Sequence, residues 1–169
     1  MRVVAALTTI PDWRAWGRCA LAYGVFLICA IPVGLLTGLL HVSVPHVAPA
    51  VVLSTSAIVL VHPAFVEELI FRVLLLPRET ASTGRGRLAV AAVVALVLYV
   101  ASHPLNAILF RPGLRTLFES PAYLSLAALL GATCTAAYWI SRSIWPPVLI
   151  HWLTVVAWLY LFGGWALLS

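Results

Sequence analysis

A chain of 169 residues that is 63% hydrophobic and 9% charged, with mean hydropathy +1.08, lies far from soluble domains, which are about 45–50% apolar and about 25% charged. Its net charge of +5 comes from ten Arg, no Lys, one Asp and four Glu, and the Arg residues are scattered between apolar runs, so a soluble enzyme and a nucleic-acid binder are both excluded. The same composition excludes a disulfide-stapled secreted domain, and Cys19, Cys29 and Cys134, odd in number, without CxxC spacing and inside apolar runs, read as packing residues. What remains is an all-α, polytopic membrane helix bundle. At roughly 20 residues per span, one membrane domain over residues 1–169 holds about five transmembrane helices.

The apolar run Val3–Ile10 is too short for a cleaved signal peptide, and Pro11–Arg18, with Trp13 and Trp16, reads as interfacial. The first span is expected from Cys19 to Leu40. Within it Gly34 and Gly38 form a GxxxG pattern, which suits close helix packing inside the chain or a homodimer. The second runs from Ala48 to Leu76 and is broken at His62-Pro63, as one kinked helix or two pieces, because proline removes a backbone donor and disfavours helix at the residue before it. The third covers Leu88 to His103 and is ended or kinked by Pro104. An irregular interfacial stretch, Leu105–Pro121, leads to the fourth span, Ala122 to Ile140, and the fifth follows from Pro147 to Leu168. Seven Arg (Arg2, Arg14, Arg18, Arg78, Arg85, Arg87, Arg142) fall on one side and two (Arg111, Arg115) on the other, which puts the N-terminus in the cytoplasm of a multi-pass cell-membrane protein and makes Glu79–Arg87 a cytoplasmic loop.

Glu67, Glu68 and Arg72 stand among Val, Ala, Phe, Leu and Ile. Each such group at a helix centre costs roughly 2.5–3.5 kcal/mol to insert, so three within six residues need compensation. Glu68 and Arg72 are spaced i,i+4 with the acid on the N-terminal side, the favourable order for a structural ion pair. Glu67 sits about 140° around the helix from Arg72 and must face something else. The intramembrane imidazoles His103 and His151 are its candidates, since a carboxylate with an imidazole makes a buried general base. His62, Tyr99, Thr154 and Val155 are candidate lining residues of the same cavity, whereas His41 and His46 flank a loop. Counted along the spans from the cytoplasmic loops, Glu67, His103 and His151 lie at depths of about 14, 24 and 9 Å, so their convergence requires tilted or shifted helices. The cavity is expected to open towards the cytoplasm.

The segment Glu67-Glu68-Leu69-Ile70-Phe71-Arg72 resembles the EExxxR motif of the CPBP family, the CAAX-prenyl-protease and bacteriocin-processing proteins. Tyr99 four residues before His103 is similar to the family's second motif, and Ile144 to His151 resembles the approach to its third, HxxxN. The motifs follow in the family's order, with a motif core over about 48–168. The resemblance implies a glutamate-dependent intramembrane endopeptidase needing no cofactor, in which Glu67 and His103 activate a water while His151 and the HxxxN asparagine steady the oxyanion. Its substrate is then a peptide or membrane protein within the lipid bilayer. Two positions depart from the pattern: Val155 replaces the asparagine and Val73 replaces a frequent glycine. Losing one oxyanion donor costs roughly 10²–10³ in rate.

Three alternatives stay open: a non-catalytic relative with an immunity or scaffold role, a zinc-dependent protease with Glu67, His103 and His151 as ligands, and a small ion-coupled carrier. HExxH, GxSxG, rhomboid-like GxSG and paired GxGD motifs are absent.

Overall fold

The computed structural model describes residues 2–77 and 84–167, so Arg78, most of the Glu79–Arg87 loop and Leu168 lie outside the described residues. A short helix α1 (Arg2–Thr8) precedes α2 (Trp13–Leu36), α3 (Pro49–Leu74), α4 (Arg85–Leu109), the single turn α5 (Arg115–Phe118), α6 (Pro121–Ser141) and α7 (Trp145–Leu161). Among the described residues four helices, α2, α3, α4 and α6, are long and apolar enough to cross a membrane, and α7 is a shorter apolar helix of 17 residues. Many large apolar side chains point outwards, such as Leu21 and Ile28 on α2, Leu53 on α3 and Val90 and Val97 on α4. That surface suits lipid, and the helical backbone satisfies its own polar groups.

The boundaries show what the apolar pattern misses. α2 begins at Trp13, inside the segment expected to be interfacial, because Asp12 caps it by accepting the Ala15 N–H at 2.7 Å. It ends at Leu36, so Gly38 lies beyond the helix with φ +73, and the chain turns back with Leu40 N–H on the Gly34 carbonyl at 2.9 Å. Gly34 is covered by the Leu40 side chain of its own turn. The GxxxG spacing therefore spans a helix end, with Gly34 packed inside the chain.

α3 is one helical run with a break, since His62 takes φ −139° and ψ 118° before the cis His62-Pro63 bond. A wide i→i+5 turn at Leu69–Leu74 follows Val66–Glu68.

Pro104 does not end α4, which continues to Leu109. Side chains take up carbonyls around the proline: Ser102 Oγ donates to Tyr99 O at 2.6 Å and His103 Nδ1 to the same oxygen at 2.9 Å. The expected irregular stretch shrinks to a turn at Pro112–Leu114 followed by α5. α7 stops at Leu161 instead of Leu168, where the chain bends at Gly163 (φ +84) under the His41 ring.

α6 is the hub, with buried small residues Ala127, Gly131, Cys134 and Ala137 that let its neighbours approach closely. α2 packs on it through Cys19, Phe26 and Ala30. At Gly131 an added Cβ would sit 2.8 Å from both Leu96 Cδ1 and Tyr99 Cδ1. Gly131→Ala is expected to lower stability by about 1–3 kcal/mol through overpacking, read as a lower melting temperature in detergent. An unchanged melting temperature would mean that Tyr99 has room to move.

α1 closes one end of the bundle. Ala6 packs with Ala64, Val73, Ile144 and Val148, its carbonyl accepts the Ile144 N–H at 3.1 Å, and Trp145 Nε1 donates to Leu7 O at 2.9 Å.

Candidate active site

Glu67 and Glu68, neighbours on α3 and about 100° apart around it, face two different surroundings. Glu68 is fully buried and is held twice: its Oε2 pairs with Arg72 Nε at 3.0 Å and its Oε1 accepts from His151 Nδ1 at 2.9 Å. Arg72 is 1% exposed, donates from Nη2 to Gly131 O at 2.9 Å, and stacks its guanidinium over the Tyr99 ring at 4.7 Å. The acid expected to be satisfied by Arg72 alone is thus shared with an imidazole on another helix. Spacing within one helix reveals the Arg72 pair but carries no signal for the His151 bond, which spans 83 residues.

His151 is consequently fixed at one nitrogen. A carboxylate only accepts, so Nδ1 carries a proton towards Glu68 and Nε2 is left facing Glu67 Oε2 at 3.9 Å. That separation exceeds a hydrogen bond. Glu67 is 18% exposed by side chain, against 0% for Glu68, and its open side faces a cavity of about 330 Å³, a volume in the range of small-ligand sites.

His103 lines the same cavity from α4 and makes no direct ion pair with Glu67. Its Nδ1–H is committed to the Tyr99 carbonyl, so the neutral ring offers a lone pair at Nε2. Aromatic rings hold it edge-on: Tyr99 at 5.0 Å, Phe118 at 5.7 Å and Tyr123 at 5.4 Å between centroids. Tyr99 also meets the His151 ring at 6.2 Å, so one buried tyrosine touches both imidazoles.

His62, Thr154 and Val155 line this cavity too. Thr154 Oγ1 donates to Ile150 O at 2.8 Å, which occupies its proton within its own helix. Among the described residues no three His, Cys, Asp or Glu side chains stand close enough to hold a metal ion, Glu67, His103 and His151 included.

Asn106 does not stand out in the sequence. It lies one turn beyond His103 on the same lining, and its Oδ1 is buried without a hydrogen-bond partner. The available signal is a polar amide at i+3 from an intramembrane histidine.

The cavity extends away from α1. Its walls come from the α2 segment Tyr23 to Ile31 with Leu39 and Leu40, from Tyr99 to Asn106, from Tyr123 to Leu130 and from His151 to Phe162, all in the half of the bundle away from α1. Arg111, Leu114 and Phe118 line it at that far end.

Two kinds of comparison, with curated proteins and with solved structures, give no match to the chain. The family model described as type II CAAX prenyl endopeptidase Rce1-like matches residues 48–157, more than half of the chain, and the matched region holds Glu67, Glu68, Arg72, Tyr99, His103 and His151. The chain belongs to this Rce1-like family of type II CAAX prenyl endopeptidases.

Proposed function

We propose that the protein is an intramembrane endopeptidase in which Glu67 and His103 activate a water for attack on a peptide carbonyl. The observation that carries the reading is the division of labour between adjacent acids: Glu68 is locked by Arg72 and His151, while Glu67 faces the cavity with His103 and His151. A base must be able to reach the proton that it removes, and of the two carboxylates only Glu67 faces open space. His103 offers Nε2 as a second proton acceptor. His151, with Nδ1 held by Glu68, points Nε2 into the same region and in its protonated form donates to the tetrahedral oxyanion.

Val155 supplies no oxyanion donor, and Asn106 takes that role in this reading, since its carboxamide lines the cavity and Nδ2 can donate. Asn106→Ala is then expected to reduce turnover by about 10²–10³, and Val155→Asn to raise turnover or to rescue Asn106→Ala. Unchanged turnover in Asn106→Ala would remove Asn106 from the site. A relative with a purely binding role predicts no cleavage in any of these forms, and a buried amide at position 155 that lowers stability.

The test is digestion of a peptide library, with and without prenylated members, by the purified protein in detergent. New peptide termini are identified by mass, with Glu67→Ala as the blank. Products that appear equally in the blank would overturn the proposal.

A further inference from the structure

We infer that the outer groove between the end of α3 and the first half of α4 is a phospholipid site, which holds one acyl chain along α4 and the phosphate of an anionic headgroup at Arg87. The groove shares no lining residue with the cavity of the candidate active site, so the inference stands apart from the peptidase reading.

The lining has a direction. Leu75 comes from just past the end of α3, and Arg87, Val90, Ala91, Val94 and Ala95 come from α4, around a volume of about 420 Å³. The α4 positions follow the spacing i, i+3, i+4, i+7, i+8, so they form one stripe along the helix with a cation at its head and apolar side chains after it. Ala95 is buried and Ala91 half-buried, whereas Leu75, Val90 and Val94 are exposed, so small residues form the floor and larger ones the walls. From Arg87 to Ala95 the helix rises about 12 Å. A hydrocarbon core of about 30 Å gives each leaflet about 15 Å, so the stripe has the reach of one lipid chain whose headgroup sits at Arg87.

Hydrocarbon covers this face in a bilayer, because the stripe borders the exposed Val93, Val97 and Leu98 of the same helix. Charge then selects among lipids. Arg87 is exposed and forms no ion pair with a described residue. From 78 to 87 the sequence sets Arg78, Arg85 and Arg87 against the single acid Glu79. A guanidinium binds a phosphate through two parallel N–H donors, and the surplus of positive charge favours a headgroup that carries no amine of its own.

Native mass spectrometry of the full chain in detergent counts the bound lipids and gives the affinity of the first. Phosphatidylglycerol and phosphatidylcholine with identical chains are titrated, and glycerol phosphate serves as a headgroup without chains. Wild type is expected to bind phosphatidylglycerol about tenfold more tightly than phosphatidylcholine and to bind no glycerol phosphate. Arg87→Gln is expected to weaken phosphatidylglycerol about tenfold, the effect of losing one charged hydrogen-bonding partner, with an unchanged melting temperature. Val94→Asn keeps the charge and puts an amide on the stripe, so it is expected to weaken the same lipid. Arg18→Gln, an exposed position outside the groove, is expected to bind like wild type. Equal affinity for the two lipids, or wild-type affinity in Arg87→Gln, overturns the inference. Equal losses in Arg87→Gln and Arg18→Gln also overturn it, since they mark diffuse attraction to a basic surface. Wild-type affinity in Val94→Asn, or glycerol phosphate bound as tightly as the lipid, overturns the place given to the chain.

Discussion

Glu68→Ala and Arg72→Ala are each expected to lose about 3–5 kcal/mol of stability, the usual effect of removing one member of a buried ion pair. Both groups are almost fully enclosed, at 0% and 1% exposure, so neither finds water when its partner goes. Arg72→Ala leaves the Glu68 carboxylate without its guanidinium partner, and it also removes the link to Gly131 O and the stack on Tyr99. Glu68→Ala strands Arg72 and at the same time releases His151 Nδ1, so it disturbs the site along with the fold. Glu67→Ala should lose much less, because Glu67 borders the cavity and makes no contact shorter than 3.9 Å to His151. Folded yield and melting temperature in detergent measure the difference. Equal values for Glu67→Ala and Glu68→Ala would contradict the separation of a structural acid from a working one.

His103→Phe is expected to leave the fold intact and to reduce cleavage by about 10²–10⁴, the usual contribution of a positioned acid–base group. A phenyl ring suits the space between Tyr99, Phe118 and Tyr123 but carries no nitrogen at the Nε2 position. The expected signature is a fall in kcat with an unchanged melting temperature. A melting temperature that falls together with activity would mark His103 as a packing residue, and full activity would remove it from the proton path.

The spans are legible in the sequence because an apolar run of about 20 residues matches the thickness of a bilayer and exceeds what a soluble core accommodates. Their ends are less so, since they depend on local interactions: the Asp12 cap moves the start of α2 back to Trp13, and α4 runs through Pro104 to Leu109. Within the site, the i,i+4 spacing is enough to bring Glu68 and Arg72 together, because a helix does that by itself. The bond from His151 to Glu68, the contact of Tyr99 with His151 and the place of Asn106 all join separate helices. One sequence carries no record of which helix faces lie opposite each other.

The most direct measurement compares cleavage of one accepted peptide by wild type and by Glu67→Gln, both purified in detergent and matched in melting temperature. The amide keeps the shape of the carboxylate and removes its ability to take a proton. Loss of about 10²–10⁴ in kcat with the fold unchanged is the predicted result. Cleavage at the wild-type rate by Glu67→Gln would contradict a glutamate-activated water in this cavity.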